Sequence, residues 1–303
     1  MSSPCQDTQS RRGKTGFYRR ILDELEYGGH ISGLHTSALA FTTALLLGYI
    51  PALGLLLTAY LFTYASYTLN RKKEWQQDLT SLPERTQYVL RRARYSNIII
   101  TVSYVIAFAI AFLTNLILFA ALLVPLILSY LYNVGSKRFV PIIGVSRLKE
   151  KLLVKNIVVS AGWGLAALLT LLYYLGPFSA TVLIIFAFIT LRLFVNTVFC
   201  DIRDVKGDAE TGIKTLPIVL GVRRTRFLLI IINTLSGLFV LLAIFAGLLP
   251  PMAHIVNLVT LYAYYYILKS FSPKANMAYL TDFVADGEGL VMIPLAILGK
   301  MML

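Results

Sequence analysis

Residues 178–200 read FSATVLIIFAFITLRLFVNTVFC, and the eight that follow, 201–208, read DIRDVKGD. The first stretch carries a single charge, Arg192, over a length that matches the roughly 20 apolar residues a helix needs to cross a bilayer. The second places Asp201, Asp204 and Asp208 directly at its end. A membrane-crossing helix that ends in carboxylates is the unit from which the rest of the chain is read.

Eight further runs of the same kind lie outward from it, near 33–50, 52–69, 96–114, 116–133, 154–174, 227–247, 252–269 and 287–303. None alternates like a barrel strand. The expected fold is all-α: a polytopic membrane protein of nine transmembrane helices in a bundle with a cytoplasmic cap. Residues 1–15 are expected to be a disordered basic tail, and 16–303 one membrane-embedded domain. Composition agrees. Hydrophobic residues make up 57% of the 303, and charged residues 14% where soluble domains average about 25%. Mean hydropathy is +0.71. Cys5 and Cys200 are too few for a disulfide framework or a four-ligand zinc site.

The joins between spans alternate. Those at Pro51, Asn115, Gly176-Pro177 and Pro250-Pro251 carry no charge. The others hold the basic residues: five in the amino tail, seven across 71–94, six across 137–155, six across 203–226, then Lys269 and Lys274, leaving only Arg192 and Lys300 over. The formal charge of +13 is therefore a topology signal and points to no nucleic-acid partner. It predicts a multi-pass protein of the cell membrane whose basic joins face the cytoplasm. The acidic residues lie on that same side, although acids contribute little to topology, so some must serve chemistry or pairing.

Residues three, four and seven apart on a helix return to the same side, so Asp201, Asp204 and Asp208 share one narrow face if the sixth helix continues that far. Grouped carboxylates suit Mg²⁺, which completes its octahedron with water and phosphate oxygens. The alternative is a solvated helix end whose acids pair with Arg203 and Lys206. The second span ends likewise in Asn70-Arg71-Lys72-Lys73-Glu74 and Asp78, with Asn70, Glu74 and Asp78 at four-residue steps and so again on one face. Two oxygen-ligand stripes at the cytoplasmic ends of two helices favour metal-diphosphate binding over surface charge.

These motifs resemble the UbiA-type intramembrane prenyltransferase superfamily, whose members carry N-D-x-x-D-x-x-x-D after the second helix and D-x-x-D-x-x-x-D after the sixth in a nine-helix bundle. Asp201, Asp204, Gly207 and Asp208, with Lys214, Pro217 and Gly221 beyond, are similar to the second motif and its neighbourhood. Lys155-Asn156 before Gly162-Trp163-Gly164 looks like the start of the family's fifth helix. The likeness covers about 30–300. It implies transfer of an isoprenyl group from a prenyl diphosphate to a lipophilic acceptor within the bilayer, with Mg²⁺ as cofactor. Metal ligands would then be Asn70, Glu74, Asp78, Asp201, Asp204 and Asp208, of which Glu74, Asp78, Asp201 and Asp204 carry catalysis.

The first motif departs from the pattern: Arg71 stands where Asp is usual, and Glu74 replaces the next Asp. Glu can ligate Mg²⁺ and Arg cannot, but the planar guanidinium suits diphosphate. By the same resemblance, basic residues ahead of the fifth helix, Arg147, Lys149 and Lys155, are diphosphate-binding candidates. The R-P-x-x-S/A-G string common in the quinone, haem and ether-lipid branches is missing, which shifts expectation toward carotenoid-like or other wholly lipophilic acceptors, or toward a terpene cyclase of the same superfamily. An allylic cation needs shielding from water and aromatic neighbours. Tyr60, Thr63 and Tyr67 on the second span and Thr190 and Thr197 on the sixth are the expected prenyl pocket, with ordinary helix packing as the alternative for each. Arg192, on the side of its helix opposite Asp201, is expected to pair with an acid or carbonyl. Asp282 and Asp286 are left between a helix cap and a place at the pocket mouth. A transporter or lipid-binding protein would call for midplane charges and broken helices, and apart from Arg192 the midplane is uncharged.

Overall fold

The computed structural model describes residues 23–25, 27–133 and 152–302. Arg147, Lys149 and the expected tail at 1–15 lie outside the described residues. Within them the chain is helical and contains no strand. In order the helices are α1 (His30–Leu46), α2 (Leu53–Ser81), α3 (Pro83–Thr114), α4 (Leu116–Ala121), α5 (Leu123–Asn133), α6 (Val154–Tyr173), α7 (Ala180–Glu210), α8 (Leu216–Leu220), α9 (Val222–Phe245), α10 (Ala253–Val256), α11 (Val259–Lys269), α12 (Met277–Tyr279), a π-helical turn (Leu280–Ala285) and α13 (Glu288–Met301). Each expected span falls on helix, with 116–133 divided at Leu122 and 252–269 at Asn257–Leu258. By length and composition, four of these helices can cross a membrane: α3, α6, α7 and α9.

Three helices, α2, α3 and α7, outrun their apolar runs, and this places the polar motifs. α7 continues unbroken from Ala180 to Glu210, so Asp201, Asp204 and Asp208 do ride on helix. α2 runs on to Ser81. Only Leu82 separates it from α3, which starts at Pro83, where the missing N–H costs nothing and φ is already helical. The stretch 71–94, a join by hydropathy, is thus nearly all helix, because its Lys, Arg, Glu and Gln are good helix formers whatever the solvent.

Small residues set the close helix crossings. A Cβ at Gly164 on α6 would lie 2.3 Å from Thr190 Oγ1, and one at Gly33 on α1 would lie 2.8 Å from the Tyr60 ring. Such approaches let backbones and side chains interlock where water-driven burial is absent. They also correct two expectations. Thr190 points into the α6–α7 contact. Tyr60 lies against α1, its hydroxyl bonded to His30 Nδ1 and its ring stacked on Tyr64. Neither lines the cavity described next; each is taken up by a glycine-lined slot on a neighbouring helix.

Candidate active site

A cavity of about 290 Å³ opens between α1, α2, α4, α5, α6 and α7, near the lower end of the range for small-molecule sites. Its deep part is apolar, walled by Leu55, Phe62, Leu118, Leu122, Trp163 and Leu169. Thr63, Tyr67 and Thr197, three of the five expected pocket residues, stand along this wall. Trp163 Nε1 donates to Tyr67 Oη at 3.2 Å, fixing both rings edge to face.

The other end of the same cavity is charged. Among the described residues, six carboxylates line it (Glu74, Asp78, Asp201, Asp204, Asp282, Asp286) against four basic groups (Arg71, Arg85, Lys155, Arg203). Lys155 Nζ stands 2.8 Å from Asp201 Oδ1 and 3.5 Å from Asp208 Oδ2, so the two aspartates a helical repeat apart share one ammonium. Asn156 Nδ2 donates to Asp201 Oδ2 at 2.8 Å. Arg203 grips Asp204 through Nε and Nη2, both at 2.8 Å, and reaches Asp282 and Thr281 through Nη1. Arg85 lies 3.0 Å from Asp78. On α2, Asn70 Nδ2 donates to Glu74 Oε2 at 2.9 Å. Arg71, also lining the cavity, donates from Nη1 to the Tyr27 carbonyl at 2.8 Å, tying α2 to the segment before α1. Burial draws its guanidinium below the usual arginine value and holds the Asp78 carboxyl above the usual carboxylate range, the latter in spite of Arg85.

The two stripes therefore meet in one cavity, but not as a preformed metal cage. No three His, Cys, Asp or Glu groups among the described residues stand close enough to hold an ion. Asp208 is fully buried behind Lys155 and does not line the cavity, which corrects the single three-aspartate face: Asp201 and Asp208 share a cation while Asp204 turns to Arg203. The fit to a divalent cation rests on other features. Carboxylates outnumber bases and supply hard oxygens, and Asn70 Oδ1 and Asp282 Oδ2 are buried acceptors with no hydrogen-bond donor.

Arg203 was not readable as a cavity group from spacing; Asp282 and Asp286, left between a helix cap and the pocket mouth, both line the cavity. Arg203 sits between two motif aspartates and reads as their surface partner; the aspartates belong to a stretch of no recognisable period. The π turn gives the only local signal, since such turns cluster at functional sites. Arg192 does meet an acid. Fully buried in the bundle, it donates from Nε to Glu288 Oε1 at 2.8 Å and from Nη1 to Asn233, while Tyr266 donates to Glu288 Oε2 at 2.8 Å.

A model of the UbiA prenyltransferase family matches residues 36–284. No curated protein matches the chain. Among solved structures it is similar to a UbiA homolog from Archaeoglobus fulgidus bound to GPP and Mg²⁺, with 14% identity, a TM-score of 0.64 and cover of 91% of this chain and 99% of that one. It is also similar to the apo form of a UbiA homolog from Aeropyrum pernix K1, at 16%, 0.64, 89% and 98%. Digeranylgeranylglyceryl phosphate synthase is a third, at 14%, 0.57, 94% and 100%. At these identities the likeness is one of fold.

Proposed function

The chain belongs to the UbiA prenyltransferase family, and from that premise we propose that it is a nine-span protein of the cell membrane that transfers an isoprenyl group from a prenyl diphosphate to a lipophilic acceptor, from an active site facing the cytoplasm. The observation that carries this reading is the two-part cavity: one continuous space with ionic groups at one end and a mostly apolar chamber at the other, matching a diphosphate head on a hydrocarbon chain. The same family resemblance and the Archaeoglobus homolog bound to GPP and Mg²⁺ support it.

The chemistry asks the protein to bind a leaving group of high negative charge, to keep water from an allylic cation, and to hold the acceptor nearby. Bound Mg²⁺ supplies charge neutralisation to the diphosphate; Asn70, Glu74, Asp78, Asp201 and Asp204 would hold it, with Asp208 acting through Lys155. Lys155 and Arg71 bind diphosphate oxygens. Arg85 and Arg203 anchor the aspartates that would otherwise repel one another. Tyr67 and Trp163 offer ring faces to the allylic end, and the leucine walls exclude water. Incubating the purified protein in detergent with Mg²⁺ and dimethylallyl, geranyl, farnesyl or geranylgeranyl diphosphate and its source lipids tests the reading. A prenylated lipid and free pyrophosphate are expected. Failure of all four to release pyrophosphate would refute it.

A further inference from the structure

We infer that Asp286, in the two-residue join before α13, is the base that accepts the proton lost from the acceptor during transfer. This rests on the prenyl-transfer reading. Asp286 belongs to neither acidic stripe, yet it lines the cavity. Each aspartate of the stripes is held by a lysine or arginine, whereas the Asp286 carboxylate has no ion pair or hydrogen bond among the described residues. Its backbone is fixed instead: the carbonyl accepts from His35 Nδ1 at 2.8 Å, and its N–H closes the π turn on the Thr281 carbonyl at 3.0 Å. His35 is buried, packed on Trp163 with ring centroids 4.8 Å apart and seated so closely on Gly289 that a Cβ there would meet its ring, so the anchor is itself held on two sides. A free carboxylate on a rigid backbone is what proton transfer needs, because the base must arrive uncommitted and in place.

Its surroundings fit the task. The titratable groups whose charge bears on it are Asp282, Arg71, Arg85 and Arg203 from the charged end and Tyr67 and Cys200 from the chamber wall, all of which line the same cavity. It thus lines the cavity together with residues of both its ionic and its apolar part. Asp282, buried and paired with Arg203, still leaves Oδ2 without a hydrogen-bond donor. Burial, with Asp282 adding to it, pushes the Asp286 carboxyl up to about 6, close to the pH at which a general base works best.

The step balances. The allylic C–O bond breaks and its electron pair leaves with the diphosphate. The acceptor's reacting atom, an O–H oxygen or a C–H carbon, gives an electron pair to the allylic carbon and forms the new bond. Its hydrogen passes to an Asp286 oxygen as a proton, and the electron pair of the broken bond stays on the product.

The test separates ionisation from transfer. Protein in detergent receives Mg²⁺, tritiated geranyl diphosphate and liposomes of total lipid from the source cells, and both pyrophosphate release and label in lipid are measured. Asp286→Asn keeps the backbone bonds and the size of the side chain. It is expected to lower lipid labelling by about a hundredfold while lowering pyrophosphate release by less than about threefold, the label appearing as geraniol and olefins. Asp286→Glu should restore part of the labelling. Labelling at the parent level in Asp286→Asn overturns the assignment. So does an equal fall in both readouts, which would place Asp286 with the diphosphate. Where geranyl diphosphate is not ionised, the tritiated member of the four that is takes its place; a parent protein that releases pyrophosphate from none of the four refutes the prenyl-transfer reading, and the assignment falls with it.

Discussion

Two buried polar groupings lie on α7, one at Arg192 and one around Asp201 and Asp204, and they are built on opposite principles. The Arg192 network is closed: one cation, one anion in Glu288, and neutral partners in Asn233 and Tyr266, all sealed from solvent. The Asp201 grouping is open: an excess of carboxylates, acceptors without donors, and a cavity beside them. A buried charge that is balanced and enclosed holds helices together, since its removal strands a partner in low dielectric. A buried charge that is unbalanced beside a cavity is held ready for a ligand. The difference separates structure from chemistry along a single helix.

The largest effect is expected in the closed network. Arg192→Met should cost about 3 to 5 kcal/mol of stability, read as earlier thermal unfolding in detergent, because Glu288 is left unpaired. The double variant Arg192→Met/Glu288→Leu should recover much of it. Parent-like unfolding of the single variant, with activity lost, would move Arg192 into the site and break the comparison. Next comes the open grouping: Asp201→Asn or Asp204→Asn should slow Mg²⁺-dependent pyrophosphate release by at least about a hundredfold while leaving unfolding nearly unchanged. Normal turnover in both would remove the metal role. Arg71→Ala should weaken binding of a non-ionising prenyl diphosphate analogue by about tenfold, with Arg71→Lys recovering part, since an ammonium lacks the two-pronged fork. Unchanged binding in Arg71→Ala would leave Arg71 as a strut to Tyr27 alone. Smallest is Tyr60→Phe: packed on α1 outside the cavity, it should alter turnover by less than about twofold, and a larger fall would restore it to the pocket.

Helical class, four membrane-length apolar helices and the helical placement of the two acidic motifs were legible because they depend on short-range periodicity and on run length, which the sequence carries directly. The meeting of Asn70, Glu74 and Asp78 with Asp201 and Asp204 in one cavity was legible only by resemblance. What was hidden depends on packing between distant segments. Tyr60 and Thr190 share faces with their motifs, but Gly33 and Gly164 on other helices decide where they go. Lys155 could be named as a diphosphate ligand, but not its bridge between Asp201 and Asp208. Asp286 gave no periodic signal, and its backbone is held by the π turn and by His35 across the bundle, neither of which spacing announces.

The central claim is that the open end of the cavity takes a prenyl diphosphate together with Mg²⁺. Equilibrium binding of geranyl thiodiphosphate, which resists ionisation, to the purified protein with Mg²⁺ and with EDTA tests it most directly. Binding at least about tenfold tighter with Mg²⁺, about 1.4 kcal/mol, is predicted. Equal binding under both conditions would contradict the account.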